Sequence, residues 1–288
     1  MAWKCILGAF IIAFVVREMF HDLFHPSVGG SVSEFIARRV FWVLRRFPRN
    51  LPMAAPLSLV LIIFTWALML GAGFALVYWA VPAWAYRIEP GLQGPPDSFA
   101  AAFYFSLEAM TTLGLGDVKP VPQWFRILVT LHTLIAFALI TASLTWILLI
   151  FPAIARTSRL ALMAWSLTES ERRTGLDAVA LGGGRMLKQL ASGVVQFRID
   201  LIHYPLLYYF RAQRDEACMA KGIHCIQNFA VRAAEPHRPD EVRFYAETLS
   251  IALDRSAELL AHRYHEVDER DREAVFRAYA YDHVIRLS

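Results

Sequence analysis

Two long runs without charged residues dominate what this chain can fold into. One extends from Leu57 to Ala80, and the other from Ile127 to Phe151, where His132 is the one ionisable side chain. As a helix the first run would measure roughly 36 Å, which exceeds the ~30 Å hydrocarbon core of a bilayer. With 57% hydrophobic and 19% charged residues, the composition suits such helices. The runs predict an all-α membrane protein with two transmembrane helices.

Basic residues are distributed unevenly around these two runs. Arginines precede the first run and follow the second, at positions 38, 39, 45, 46, 49, 156 and 159. The segment between the runs has few cations, namely Arg87, Lys119 and Arg126. Because basic flanks stay on the cytoplasmic side of a membrane, we expect both flanks, and the C-terminus, to be cytoplasmic. The segment between the runs would then open to the outside.

That outer segment contains alternating glycines, in the order Thr111-Thr112-Leu113-Gly114-Leu115-Gly116-Asp117. Glycine reaches backbone conformations that other residues adopt only at a cost, so this spacing suits carbonyls that all point to one side. Rings of carbonyl oxygens can replace the water shell of an ion. Residues 99–110 before the segment are predicted to form a helix capped by Asp97 or Ser98, which would end at its inner side.

This segment resembles the selectivity filter of potassium channels, whose usual form is Thr-Val-Gly-Tyr-Gly followed by Asp. The stretch from Tyr104 to Met110 resembles the end of that family's pore helix. The resemblance implies a re-entrant pore helix, a homotetramer and passive K⁺ conduction, with no enzymatic activity. It also implies that K⁺, the transported ion, is bound by carbonyls of Thr112, Leu113, Gly114 and Leu115, and that Gly116 completes the outer end of the filter.

Three further residues are expected to support the filter. In similar channels a glutamate at the position of Glu108 lies behind the filter near the position of Asp117, so we expect these carboxyls to share a proton. Tyr104 is expected to donate a hydrogen bond to Asp117. Leu115 replaces the usual filter tyrosine and is expected to pack on Phe105. This replacement leaves K⁺ over Na⁺ selectivity open.

The N-terminal part is predicted to contain two helices. A helix over 2–25 is interpreted as an additional span, with a helix on the membrane surface as the alternative. Glu18, His21, Asp22 and His25 share one of its faces, which we interpret as a polar strip rather than a metal site. A basic amphipathic helix from Ser31 to Phe47 is expected to lie on the inner leaflet and attract anionic lipid. Packing of this helix on the C-terminal domain is the alternative.

The chain is predicted to divide into residues 1–52, with the N-terminal membrane helix and the interfacial helix, a pore domain at 53–152, and a helical cytoplasmic domain at 153–288. In the last part, residues 182–184 are all glycine, and no nucleotide-binding motif is present. The basic residues indicate lipid rather than nucleic acid as a partner. Scarce lysine beside arginine favours a bacterial inner membrane. The alternatives are a non-conducting membrane sensor or scaffold and a non-selective cation channel.

Overall fold

The computed structural model describes residues 1–24, 31–88, 97–264 and 271–283. Nine α-helices and two short strands lie in these ranges: α1 Ala2–Phe24, α2 Ser31–Leu44, α3 Ala54–Trp79, β1 Tyr86–Ile88, α4 Phe99–Met110, β2 Val118–Pro120, α5 Gln123–Thr174, α6 Ala178–His203, α7 Met219–Ala233, α8 Asp240–Tyr264 and α9 Arg272–Asp282. The chain forms two compact units, one of residues 1–33 and 59–148 and the other of residues 34–58 and 149–288. The second unit contains α2 from Glu34 onward together with the C-terminal helices.

Two helices in the described part of the chain are long and apolar enough to cross a membrane. They are the helical stretch Asn50–Trp79, which includes α3, and α5. The run at 127–151 lies inside α5, and the run at 57–80 lies inside α3 except for its last residue, Ala80. In a membrane the backbone N–H and C=O groups must be satisfied within the segment, and a helix does so along its whole length.

In the first unit, α1 packs along α3 in the opposite direction. The Lys4 ammonium lies 3.1 Å from the ring centroid of Trp79, near the end of α3. Further along α1, a Cβ added at Gly8 would lie 2.6 Å from the Gly73 carbonyl oxygen, and one added at Gly73 would meet Ile12. Glycine at these positions allows the two backbones to approach closely, as in membrane helix pairs.

The strands β1 and β2 form an antiparallel pair on either side of the segment that carries α4. Their register places Tyr86 opposite Pro120, Arg87 opposite Lys119 and Ile88 opposite Val118. The segment between α3 and α4 therefore contains a short strand at 86–88. Residues 89–96 lie outside the described residues.

In the second unit, α6 to α9 pack around an apolar core that includes Leu187, Phe197, Ile223, Leu253 and Phe276. The C-terminal half of α5 joins this core through Arg156, whose guanidinium donates two hydrogen bonds to the buried Asp200 carboxylate at 2.7 and 3.0 Å. In the glycine triplet, Gly183 is a non-helical residue inside α6, with φ of 51°.

Candidate ion-conduction site

The segment 111–117 leaves the end of α4 with an alternating backbone. Thr112, Gly114 and Gly116 have φ of 56°, 59° and 76°, whereas Leu113 and Leu115 are not in the left-handed region. When residues with left-handed φ alternate with other residues along an extended stretch, successive carbonyls point to the same side of the chain. In a regular strand they point to opposite sides. Thr112 adopts this conformation although it is not glycine, which costs free energy that the surrounding structure must offset.

The carbonyls of this stretch have no hydrogen-bond donor in the part of the chain that the structure describes. Those of Thr112, Leu113, Gly114 and Leu115 accept none from backbone or side chain there. The two leucine side chains point away into open space and are 63% and 60% exposed. A row of free carbonyls beside exposed apolar side chains is unfavourable for an isolated chain, because such carbonyls require a partner and apolar surface avoids water.

The segment is tied to α4 by a buried carboxylate. Glu108 lies in the last turn of α4 and is 6% exposed. Its Oε1 accepts a hydrogen bond from the Gly116 amide at 3.1 Å. Within the described ranges its Oε2 atom is buried and has no hydrogen-bond partner. Glu108 therefore fixes the outer end of the glycine segment from behind.

Asp117 is held separately at the outer end of the segment. Its Oδ2 accepts a hydrogen bond from the Tyr104 hydroxyl at 2.9 Å, and its Oδ1 accepts one from the Val118 amide at 2.9 Å. The Tyr104 contact is the one expected from the sequence. The Glu108 and Asp117 carboxyls accept hydrogen bonds from different donors, and the described contacts include no hydrogen bond between them. The proton that they are expected to share stays a prediction.

The helix α4 is positioned by its cap and by one hydroxyl hydrogen bond with each flanking helix. At its start the Ser98 side chain accepts a hydrogen bond from the Ala101 amide, at 3.2 Å. Ser106 donates to the Gly71 carbonyl of α3 at 2.7 Å, and Thr133 of α5 donates to the Ala109 carbonyl at 3.1 Å. The C-terminal end of α4, where the helix dipole is negative, thus meets the glycine segment.

An aromatic cluster supports the outer side of α4, and sequence reasoning did not find it. Phe105 is buried, with its ring centroid 5.1 Å from that of Tyr78 and 6.2 Å from that of Phe125. Tyr86 lies 5.0 Å from Phe125 and donates a hydrogen bond to the Tyr78 carbonyl. Within one chain, Phe105 therefore packs among aromatic rings, and its expected contact with Leu115 stays a prediction. The sequence contained a signal for this cluster, because Tyr78 and Tyr86 precede α4 and Phe125 follows the glycine segment.

Residues 74–151 match the family model of an ion channel domain. The match begins near the outer end of α3, includes α4 and the glycine segment, and ends in α5. It supports an ion channel in this part of the chain, with passive ion conduction and a membrane location. No curated protein and no solved structure matches the chain. An ion channel family is not an enzyme family.

Within this ion channel domain, His132 is a packed residue of α5. Its Nδ1 lies 3.0 Å from the Tyr78 hydroxyl, and its ring stacks on Phe74 with centroids 3.8 Å apart. The side chain is fully buried. These contacts make His132 a packed residue with one hydrogen-bonded ring nitrogen.

Among residues 1–24, 31–88, 97–264 and 271–283, no group of side chains has the arrangement of a metal site. Glu18 and Asp22 of the polar strip are buried, and the Glu18 carboxylate accepts a hydrogen bond from the Val32 amide at 3.3 Å. The fourth residue of the strip, His25, lies outside the described residues.

Proposed function

We propose that this chain is one subunit of a homotetrameric, potassium-selective channel in the inner membrane of a bacterium, with its C-terminal helices in the cytoplasm. The observation that carries the proposal is the alternating backbone at 112–116 with its row of free carbonyls. Carbonyl oxygens in this arrangement are the ligands that replace the water shell of K⁺. The transported ion would be held by Thr112, Leu113, Gly114 and Leu115.

A closed ring of identical subunits would surround an ion with carbonyl oxygens on all sides. One strand presents carbonyls on one side and cannot enclose an ion. Cyclic symmetry places identical strands around an axis, and the exposed Leu113 and Leu115 would then pack against neighbouring subunits. Four copies give the number of carbonyls that surround K⁺ in filters of this kind.

The helix α4 has the length of a re-entrant pore helix. Its 12 residues correspond to about 18 Å of helix, roughly half the thickness of a membrane. Short structure of this kind is tolerated at membrane depth where it is covered by protein or lines a water-filled pore. The contacts of α4 with α3 and α5 provide that cover, and its negative C-terminal end would face the incoming cation.

Leu115 favours a second candidate, a cation channel with little preference between K⁺ and Na⁺. A leucine has no hydroxyl with which to brace the filter, and its side chain is mostly exposed in one subunit. A filter held by apolar packing alone would tolerate more variation in the carbonyl positions than one held by hydrogen bonds.

Flux through the purified protein in liposomes distinguishes these candidates. With a K⁺ gradient, we expect a Ba²⁺-sensitive flux that is much larger for K⁺ than for Na⁺. Equal K⁺ and Na⁺ flux would identify a non-selective channel. Absence of flux from intact tetramers in every condition would favour a non-conducting scaffold.

A further inference from the structure

The helix α2 presents two different faces, and one of them is already occupied. Ala37 and Phe41 are buried on the C-terminal helices. The Phe41 ring centroid lies 5.3 Å from that of Tyr209 and 5.6 Å from that of His283. This face is therefore an internal contact of the second unit and is unavailable to the membrane.

The opposite face of α2 and the residues just after it form an exposed stripe of aromatic, aliphatic and basic side chains. We call this set the outer stripe: Phe35, Arg39, Trp42, Val43, Arg46 and Phe47. The four apolar members are between 50% and 59% exposed. No acidic residue belongs to the stripe.

The two arginines of the outer stripe are placed on its aromatic rings. The Arg39 guanidinium carbon lies 5.0 Å from the Phe35 ring centroid, and that of Arg46 lies 4.2 Å from the Trp42 ring centroid. A guanidinium stacked in this way keeps its N–H edge available for oxygen acceptors. Indole and phenyl rings beside cations are typical of helices that lie in the interface between headgroups and acyl chains.

Chain connectivity keeps α2 close to the membrane. A 3₁₀ turn, Pro48–Met53, follows α2, and the apolar helix α3 begins at Ala54. A 3₁₀ turn rises only about 2 Å per residue, so the residues between the two helices have little reach. If α3 crosses the membrane, α2 must lie within that reach of the surface.

Arg45 differs from the stripe arginines because it faces the protein. Its Nη1 lies 3.0 Å from the Asp282 carboxylate, and its Nη2 donates to the Tyr281 carbonyl at 3.2 Å. The guanidinium carbon also lies 4.5 Å from the Tyr281 ring centroid. Arg45 and Arg46 are adjacent in sequence but have different partners.

We propose that the outer stripe docks on the cytoplasmic leaflet and recognises its anionic lipids, while Arg45 attaches the other face of α2 to the C-terminal helices. The occupant is a lipid surface because the stripe combines interfacial rings with uncompensated positive charge, which complements the negative cytoplasmic leaflet. The proposal rests on α3 crossing the membrane and is independent of which ion is conducted. It makes α2 the element through which lipid charge reaches the C-terminal helices.

Spin labels on the full chain test the docking directly. The native Cys5, Cys218 and Cys225 are replaced by serine, and a nitroxide is attached at Val43→Cys in the stripe or, as a control, at the exposed Phe244→Cys of α8. In anionic liposomes we expect the label at 43 to be more accessible to oxygen than to a water-soluble nickel chelate, and the label at 244 to show the opposite. A label at 43 that is accessible to the nickel chelate would overturn the proposal. Protection from both reagents would also overturn it, since that would indicate a protein partner or a second subunit.

Charge variants separate the two faces of the helix. Arg39→Gln with Arg46→Gln should lower the ratio of docked to undocked label in anionic liposomes by about fivefold per arginine, and should change it little in neutral ones. Arg45→Gln, and Asp282→Asn as an independent change of the same ion pair, should affect anionic and neutral liposomes equally. The proposal fails if the stripe variant acts equally in both lipids. It also fails if the Arg45 variant shows the same dependence on lipid charge as the stripe variant.

Discussion

At the scale of single residues, Gly114 shows how backbone conformation, rather than space, limits the conduction site. Its φ is 59°, and an added Cβ would lie no closer than 4.0 Å from the nearest atom, the Thr112 carbonyl oxygen. A side chain at this position would therefore fit, but it would disfavour the left-handed conformation that aims the neighbouring carbonyls. Gly175 offers a comparison, because it has φ of 71° with open space around it.

Gly114→Ala should abolish K⁺ flux, whereas Gly175→Ala should leave it intact. Both substitutions place alanine in a left-handed conformation at a cost of about 1–2 kcal/mol, so their effects on folding should be similar. At Gly114 the chain relieves this cost by rotating the peptide, which removes a carbonyl from the row. Liposome flux with equal amounts of tetramer measures the difference. Selective K⁺ conduction by the Gly114 variant would show that the ion is bound elsewhere.

At the scale of elements, α4 depends on hydrogen bonds that join it to its neighbours. Thr133 donates both to Ala109 in α4 and to Val129 in its own helix. Thr141, two turns further along α5, donates to Phe137 in its own helix. Thr141 therefore serves as a matched control for Thr133. Both hydroxyls bond within α5, and that of Thr133 also contacts α4.

Thr133→Val should lower the thermal stability of the channel, and Thr141→Val should not. The first change removes the side-chain donor of the Ala109 carbonyl, which keeps only the longer hydrogen bond from the Thr112 amide at 3.4 Å, at a cost of about 1 kcal/mol. We expect the temperature at which half of the K⁺ flux is irreversibly lost to fall by about 2–4 °C for this variant. Equal behaviour of the two variants would mean that the contact between α5 and α4 contributes nothing to stability.

The direction of α1 along α3 gives a second prediction at this scale. Lys4 lies beside Trp79, at the end of α3 that the arginine distribution places outside. We therefore expect α1 to be a third span with residue 2 on the outside. In a variant without native cysteines, Ala2→Cys should react with an impermeant maleimide added to intact right-side-out vesicles. Arg243→Cys, on the exposed side of α8, should react only after permeabilisation, and the same requirement at position 2 would exclude an outside N-terminus.

At the scale of the whole molecule, the second unit carries a buried histidine, His283, and a half-buried one, His224, which make its stability depend on pH. His283 is fully buried, with Nδ1 3.0 Å from the Tyr279 carbonyl oxygen and Nε2 2.9 Å from that of Tyr208. Burial lowers the pKa of His283, and although both carbonyls and Asp282 act in the opposite direction, the net shift is downward. Burial likewise lowers the pKa of His224.

The sign of the effect follows from these lowered pKa values. An unfolded histidine has a pKa of about 6.5, so below that pH the unfolded chain binds more protons than the folded chain. Stability should therefore fall as the pH drops from about 7.5 to 5.5. Hydrogen exchange of the 271–283 peptide in the full-length protein should become faster over this range. His283→Gln should reduce the pH dependence, whereas His237→Gln, at a solvent-exposed histidine, should not.

The opposite pH dependence of hydrogen exchange would mean that the pKa of His283 is raised, not lowered, in the folded protein. Slower exchange at pH 5.5 than at 7.5 would mean that the protonated ring, which can donate to both carbonyls, is the more stable form in the folded protein. The His283 variant would then become relatively less stable at low pH. The two outcomes have opposite signs, so one comparison decides between them.

The sequence by itself determined the features that depend on local composition. The two apolar runs, the limits of α4, its Ser98 cap and the glycine spacing at 112–116 were all predictable, because each follows from hydropathy or from the backbone preferences of neighbouring residues. The tertiary structure decided what depends on residues distant in the chain. It placed Phe105 with Tyr78 and Phe125, gave Glu108 and Asp117 separate hydrogen-bond donors, and gave α2 one buried face and one exposed face. A pattern in one segment shows which surface is apolar, but which partner covers that surface depends on long-range packing.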